Sequence, residues 1–465
     1  MSFLNVSRCK NNLYFSVKSE LFDFFSIILH AEMIFNRIVR YNMNRILVSL
    51  LIASSAMTAF AQGATNSPYS QFGLGELAQQ GGSQNRGMDG LGIALHSGNL
   101  VNTANPASYA YVDSLTMLFD MGLSASLTNF EENGVKKNAR TGNFEYAVGS
   151  FRLMKNVGAT FGILPVTNVG YDYSSSQYIA DAHQTMASSY TGDGGLQKLF
   201  VGFGARVGNL SAGFNVGYLW GGYTHNISLS SSASVNTLSK KYQTDVSNYV
   251  LDFGLQYSLP LSKTDRVTVG ATYGLGHKLN ADATCDIVNA NSTISKADTT
   301  HWVVNNALEL PHTFGVGLAY TRLNNLTIGI DGTMQRWGNL KFPKETDGTY
   351  QLTSGMLKDA YKMTVGTEWV PRYNSRRLID RVKYRIGASY ATPYYKIGNI
   401  DGPKQYSISA GFGIPIQNQI NARSYLNISA QWVRQSVDGL LKENTFRINL
   451  GVTFNERWFA KWKVE

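Results

Sequence analysis

Cysteine is nearly missing from this chain, with two in 465 residues. Cys9 lies close to the start and Cys285 stands alone in the remainder, so a processed chain has no intrachain disulfide. Neither Cys-x-x-Cys nor His-Glu-x-x-His occurs and the seven histidines are scattered, which argues against a metal site. The Gly-x-Ser-x-Gly elbow is missing too. Gly-Leu-Gly at 73–75, 90–92 and 274–276 lacks the strand–turn–helix setting of a nucleotide loop. No residue reads as catalytic and no cofactor is implied, so the expectation is a protein that is not an enzyme. Proline is scarce, at 10, and charged residues make up only 15%, which excludes a disordered, charge-rich chain. No dense Lys/Arg run carries interleaved aromatics, so a nucleic-acid partner is not expected. Apart from one N-terminal segment, no apolar run approaches the ~18 residues that a membrane helix needs.

What is present is glycine (45), tyrosine (26) and 12% aromatics, a composition that suits antiparallel sheet. The N-terminal exception, "MNRILVSLLIASSAMTAFAQ" at 43–62, reads as a signal peptide. Arg45 is its basic start, Ile46 to Met57 its short apolar core, and Ala59-Phe60-Ala61 its small-x-small cleavage site, with the cut after Ala61. Residues 1–42 read as an over-extended leader, with translation beginning at Met43. Residues 1–42 carry five basic and three acidic side chains; taking these and Arg45 from the full +10 leaves +7. An exported chain without a membrane helix is either soluble or a membrane β-barrel.

From Leu115 onward one pattern repeats: about ten residues alternating apolar with small or polar ones. In the last instance Phe446, Ile448, Leu450, Val452 and Phe454 alternate with Arg447, Asn449, Gly451 and Thr453. Fourteen strands are expected: 115–128, 142–154, 158–173, 196–207, 210–229, 243–259, 265–278, 312–322, 325–337, 359–370, 381–394, 404–414, 424–435 and 444–454. The connections after even-numbered strands are mostly short, whereas 174–195, 279–311 and 338–358, after odd-numbered ones, are long. Short turns at one end and long loops at the other describe an outer-membrane barrel with both termini in the periplasm. One face of each strand is apolar. The other carries Gly, Ser, Thr, Asn and the charges Asp120, Glu145, Arg206, Asp252, Asp331, Lys362, Glu368, Lys383, Arg385 and Arg447. A soluble barrel reverses this arrangement. The fold class is therefore all-β, a 14-stranded antiparallel transmembrane barrel over 115–454. Residues 62–114 do not alternate, are rich in Gly and Asn, and hold one helix-capable piece, Leu74–Gln80; they read as an N-terminal hatch, or plug, for the lumen. Residues 455–465, "NERWFAKWKVE" from Asn455, form a basic aromatic tail.

One strand breaks its own pattern. In "GATFGILPVTNVGYDY", 158–173, Pro165 removes a ladder donor in mid-strand. Unpaired backbone groups facing lipid cost several kcal/mol each, so they must line a cavity or meet other protein. An opening in the wall suits an apolar cargo, which water disfavours by about 0.8 kcal/mol per CH₂.

A signal peptide, a Gly/Asn-rich segment with Asn105-Pro106-Ala107, and fourteen strands with a proline in the third together resemble the FadL-type long-chain fatty-acid transporters. The resemblance implies passive uptake of a hydrophobic small molecule through a hatch-plugged barrel. Lateral exit at the strand-3 kink follows, with Asn105, Pro106 and Ala107 lying against Pro165. Lys362, Lys383 and Arg385, inward on strands 10 and 11, can receive a carboxylate head group or pair with Glu368. Partners on this reading are the cargo or a lipid, outer-membrane lipids, and the barrel-assembly machinery during insertion. Two alternatives stand beside it: a FadL-like barrel turned structural or secretion scaffold, binding proteins through its loops, and a water-filled porin.

Overall fold

The computed structural model describes residues 65–180, 183–231, 236–291, 293, 296–323, 325–346, 348–416 and 424–457. The leader, the signal peptide and residues 458–465 of the tail lie outside the described residues. Fourteen strands close into one antiparallel barrel. They are β1 (Thr116–Glu132), β2 (Val135–Met154), β3 (Val157–Ile179), β4 (Gln184–Val207) and β5 (Leu210–Ser231). Next come β6 (Asn236–Pro260), β7 (Asp265–Gly274), β8 (Thr313–Arg322), β9 (Leu326–Gln335) and β10 (Ala360–Trp369). The last four are β11 (Lys383–Ala391), β12 (Lys404–Ile416), β13 (Ser424–Ser436) and β14 (Lys442–Arg457). β14 returns to β1, from Thr116↔Arg457 to Glu131↔Lys442, and this pairing closes the ring. The last strand thus runs past Phe454 into the start of the expected tail.

The outer face is a belt of exposed apolar side chains, among them Phe214, Val216, Leu255, Val316, Ile386 and Ile408. That is the lipid contact the alternation predicts. At the proximal end, where β1 begins and β14 finishes, the described connections at 155–156, 208–209 and 261–264 are short turns, whereas Val370–Val382 is longer and holds the helical turn Leu378–Arg381. At the distal end the chain differs from the sequence-based expectation. Segment 174–195 is not a loop: β3 and β4 run on through it, paired as far as Ile179↔Gln184. Within 279–311, Ala281–Asn291 pairs with the distal half of β6, and Lys296–Val304 pairs with Ala281–Asn291 in turn. Within 338–358, Phe342–Thr346 pairs with Thr349–Thr353. Segment 174–195 has few apolar residues and no sustained two-residue period. In Ala281–Asn291 a short alternation is present: Ala281, Ala283 and Cys285 are buried, the last two against Ala307 and Tyr350, between Asp282, Thr284 and Asp286. Strands β3 to β6 span 23, 24, 22 and 25 residues, at least twice the ~9–11 that cross a bilayer, so their distal halves stand clear of lipid.

Residues 65–114 form the hatch. It is built of short pieces: a 3-10 turn at Pro68–Gln71, a two-residue strand Glu76–Leu77, a helical turn Ser83–Arg86 and a second 3-10 turn Pro106–Tyr111. The helix-capable piece Leu74–Gln80 is extended instead, because its backbone is drawn into pairing with β3. Both 3-10 turns begin on a capping side chain followed by proline. Ser67 accepts from Tyr69 N, and Asn105 accepts from Ala107 N with Pro106 at the first helical position.

Candidate functional site

The inward glycines of the wall are where the hatch backbone lies. A Cβ on Gly213 would stand 2.4 Å from Pro106 O, and one on Gly387 would stand 2.3 Å from Met88 C. Only a residue without a side chain admits so close an approach. The luminal charges hold the hatch from all sides. Asp331 Oδ2 accepts from Gly92 N at 2.7 Å and Ile93 N at 2.9 Å. Asp120 accepts from Ser83 Oγ at 3.0 Å and from Tyr146 at 3.2 Å. Arg86 reaches Glu145 at 3.0 Å, with 2% and 8% of the two side chains exposed. On the hatch, Asp89 Oδ1 accepts from Ser407 Oγ and Gln431 Nε2, each at 2.6 Å.

The distal half of the lumen is closed by apolar side chains. Hatch residues Tyr69 and Leu74 pack with Val169, Leu196, Leu219, Trp337, Leu357 and Tyr394 in one buried cluster. Tyr394 also donates its hydroxyl to Gly75 O.

The irregularity at Pro165 is real, and it has two parts. First, pairing between β2 and β3 runs from Met154↔Val157 to Ala147↔Ile163 and stops, while each strand continues on its other side. A seam therefore opens in the wall distal to Ile163. Second, the register with β4 shifts between Pro165 and Thr167, which leaves Val166 as a bulge. One extra residue exchanges the two faces of a strand. Phe161 accordingly points outward and is exposed, whereas Val169 and Tyr171, of the same alternate set, are buried inside.

The hatch fills this seam. Glu76 and Leu77 pair with Asn168 and Thr167, Ala78 N donates to Val166 O at 3.0 Å, and Gln80 Nε2 donates to Pro165 O at 2.9 Å. Ser70 Oγ accepts from Gly170 N at 3.1 Å, and Asn66 Nδ2 donates to Arg140 O on the β2 side at 3.1 Å. The structure does not bring Asn105, Pro106 and Ala107 to Pro165. Asn105 Nδ2 donates to Ile93 O at 2.7 Å within the hatch and to Leu255 O at 3.2 Å on β6. Pro106 lies against Gly213 on β5. Ala78 and Gln80, which sequence reasoning did not single out, occupy the place that the resemblance assigns to the tripeptide.

The three inward basic residues divide. Arg385 Nε donates to Glu368 Oε2 at 2.7 Å, its Nη1 donates to Asn427 Oδ1 at 2.6 Å, and Lys383 stands 3.7 Å from Glu368. Asn427 Nδ2 continues to Ser83 Oγ at 2.8 Å, so this group also supports the hatch. Lys362 points into the barrel near Asp89 and Asp331. No three His, Cys, Asp or Glu side chains gather into a metal-holding group among the described residues.

A family model described as BamG matches residues 43–465. No curated protein sequence matches the chain. Among solved structures, a Pseudomonas aeruginosa FadL homologue superposes with a TM-score of 0.57 at 12% identity, over 82% of this chain and 99% of its own. The Pseudomonas putida toluene transporter TodX gives 0.56 at 15% identity, with the same two coverages of 82% and 99%. The CymD monoaromatic hydrocarbon channel gives 0.55 at 14%, over 84% of this chain and 99% of its own. At such identities the likeness to FadL-type barrels is one of fold.

Proposed function

The chain belongs to the BamG family, and on that premise we propose that it is a plugged outer-membrane barrel that works with the barrel-assembly machinery as a partner-binding scaffold. Its proximal end, with both termini, faces the periplasm. The extended distal sheets stand outside the cell. The observation that carries this reading is the filled lumen. The hatch backbone rests on inward glycines, the wall's carboxylates accept hydrogen bonds from it, and an apolar cluster shuts the distal half. A conduit for solutes needs free volume where this chain has packed side chains. The test is isolation of the tagged mature protein from native outer membranes in mild detergent. Stoichiometric co-elution with the central barrel subunit of the assembly machinery, together with a closed state in planar bilayers, is expected. A lone protein that conducts ions would overturn the reading.

The seam favours a second reading, uptake of a hydrophobic small molecule with lateral exit beside Pro165. Leu77 and Thr167 are register partners across it. A Leu77→Cys/Thr167→Cys disulfide should abolish uptake of a long-chain fatty acid and restore it on reduction. Uptake that ignores the cross-link excludes a lateral route.

A further inference from the structure

Among the described residues, β4 and β7 each carry an inward arginine that makes no ion pair. Arg206 and Arg266 both point inward at the proximal mouth, next to the turns at 208–209 and 261–264. Among the described residues neither makes an ion pair. Arg206 places its guanidinium 4.7 Å from the centre of the Tyr111 ring and donates to Asn156 Oδ1 at 3.2 Å. Arg266 keeps its Nε buried without a hydrogen-bond partner. Tyr111 is in turn stacked on His96, ring centres 3.6 Å apart, and its hydroxyl lies 3.2 Å from Ser258 Oγ. His96 is held against Gln256 Oε1 at 3.1 Å, and burial together with Arg266 pushes its pKa down to about 3, so it stays neutral and adds no charge.

We propose that Arg206 and Arg266, floored by the Tyr111–His96 stack, form an oxyanion site open to the periplasm that takes the carboxylate of an acidic peptide segment. Two half-buried guanidiniums within each other's field and without a carboxylate are disfavoured in the empty protein, and an arriving anion removes that penalty. A planar guanidinium fork matches a carboxylate with two parallel hydrogen bonds, and a ring stacked beneath Arg206 fixes its plane. Lys383 and Arg385 offer no such site because Glu368 and Asn427 already occupy their donors. The inference deepens the partner-binding reading and rests on it for the direction in which the mouth faces.

The experiment uses the full mature protein in neutral detergent and a short Glu-rich peptide with an uncharged dye, followed by fluorescence anisotropy. The isosteric Gln-rich peptide and inorganic phosphate serve as the other two probes. Binding of the Glu peptide, weakened by salt, is expected. The Arg206→Gln/Arg266→Gln variant should lose at least about tenfold in affinity, and Arg206→Lys/Arg266→Lys should retain part of it. Heat-modifiable migration on a gel reports whether each variant barrel is folded. Equal binding of Glu and Gln peptides, undiminished binding by a folded double Gln variant, or capture of phosphate alone would each overturn the site. Co-elution with the assembly machinery is read separately. A protein that binds the Glu peptide through these arginines yet elutes alone sinks the scaffold reading and leaves the site standing.

Discussion

Replacing Gly213 with leucine is expected to expel the hatch from the barrel while the fourteen strands stay paired. A Cβ at 213 would meet Pro106 O at 2.4 Å, Pro106 C at 2.5 Å and Ala107 N at 2.8 Å, and all three are backbone atoms. They cannot rotate aside, because the preceding residue, Asn105, is itself tied through its amide to Ile93 O and Leu255 O. Overpacking of this kind costs about 1–3 kcal/mol where side chains can give way, and more where only backbone is available to move. Gly387→Leu on the other side of the ring meets Met88 C in the same manner and should act alike. Gly332→Ala is the control, since the nearest atom to its Cβ is Val316 Cγ2 at 3.9 Å. The readouts are protease cleavage within residues 65–114 and single-channel conductance. The leucine variants should be cut at least about tenfold faster than the parent protein, and should conduct, because the freed lumen is lined by Asn, Ser, Thr and charged groups. Unchanged protection and a silent bilayer in both leucine variants would mean that the glycines are not the seat of the hatch.

The barrel was legible because lipid on one side and a polar interior on the other impose a period of two on each membrane-crossing strand, and Phe446 to Phe454 show it without interruption. Where the strands rise above the membrane that contrast ends, and Ser174 to Ile179 and Gln184 to Ser189 carry no signal although they pair with one another from end to end. The break at Pro165 was legible from one residue; the bulge at Val166 that turns Val169 and Tyr171 inward was not, because a one-residue slip leaves the alternation intact on either side of it. Charges inside the lumen could be assigned to the lumen but not to a task. Asp331 is occupied by the backbone amides of Gly92 and Ile93, and an amide donor has no signature in a sequence. Asn105 shows the same limit from the other direction. It does supply donors and caps its own turn, as its type suggests, yet it does so on β6, since only the path of the hatch decides which wall it meets. The pairing of Arg385 and Lys383 with Glu368 followed from shared strand faces. The solitude of Arg206 and Arg266 required knowing which strands end at the same mouth.

Glu145→Gln should loosen the hatch almost as much as any single change of charge can. Glu145 and Arg86 meet at 3.0 Å with nearly all of both side chains hidden, and Arg86 lies 5.5 Å from the Tyr146 ring centre. The pair is not expected to contribute much on balance, because withdrawing both ions from water offsets most of their attraction. Removing Glu145 is different: the Arg86 guanidinium stays buried without its carboxylate, and Arg447, which lies in the same field, loses it as well, at about 3–5 kcal/mol. Arg86 also donates to Gln79 O at 2.9 Å, so a guanidinium released from Glu145 disturbs the stretch that crosses the seam at Ala78 and Gln80. Hydrogen exchange at the amides of residues 83–92 should accelerate by two to three orders of magnitude in Glu145→Gln and in Arg86→Met, given about 1.4 kcal/mol per tenfold. The double variant Arg86→Met/Glu145→Gln should recover part of the protection, since neither ion of the pair then remains, although Arg447 still lacks the Glu145 carboxylate. The difference between the double change and the two single ones measures the coupling directly. Single variants that exchange at the parent rate would show the pair to be hydrated, and a hydrated pair at that depth means water passes beside the hatch, which would return the barrel to the class of open conduits.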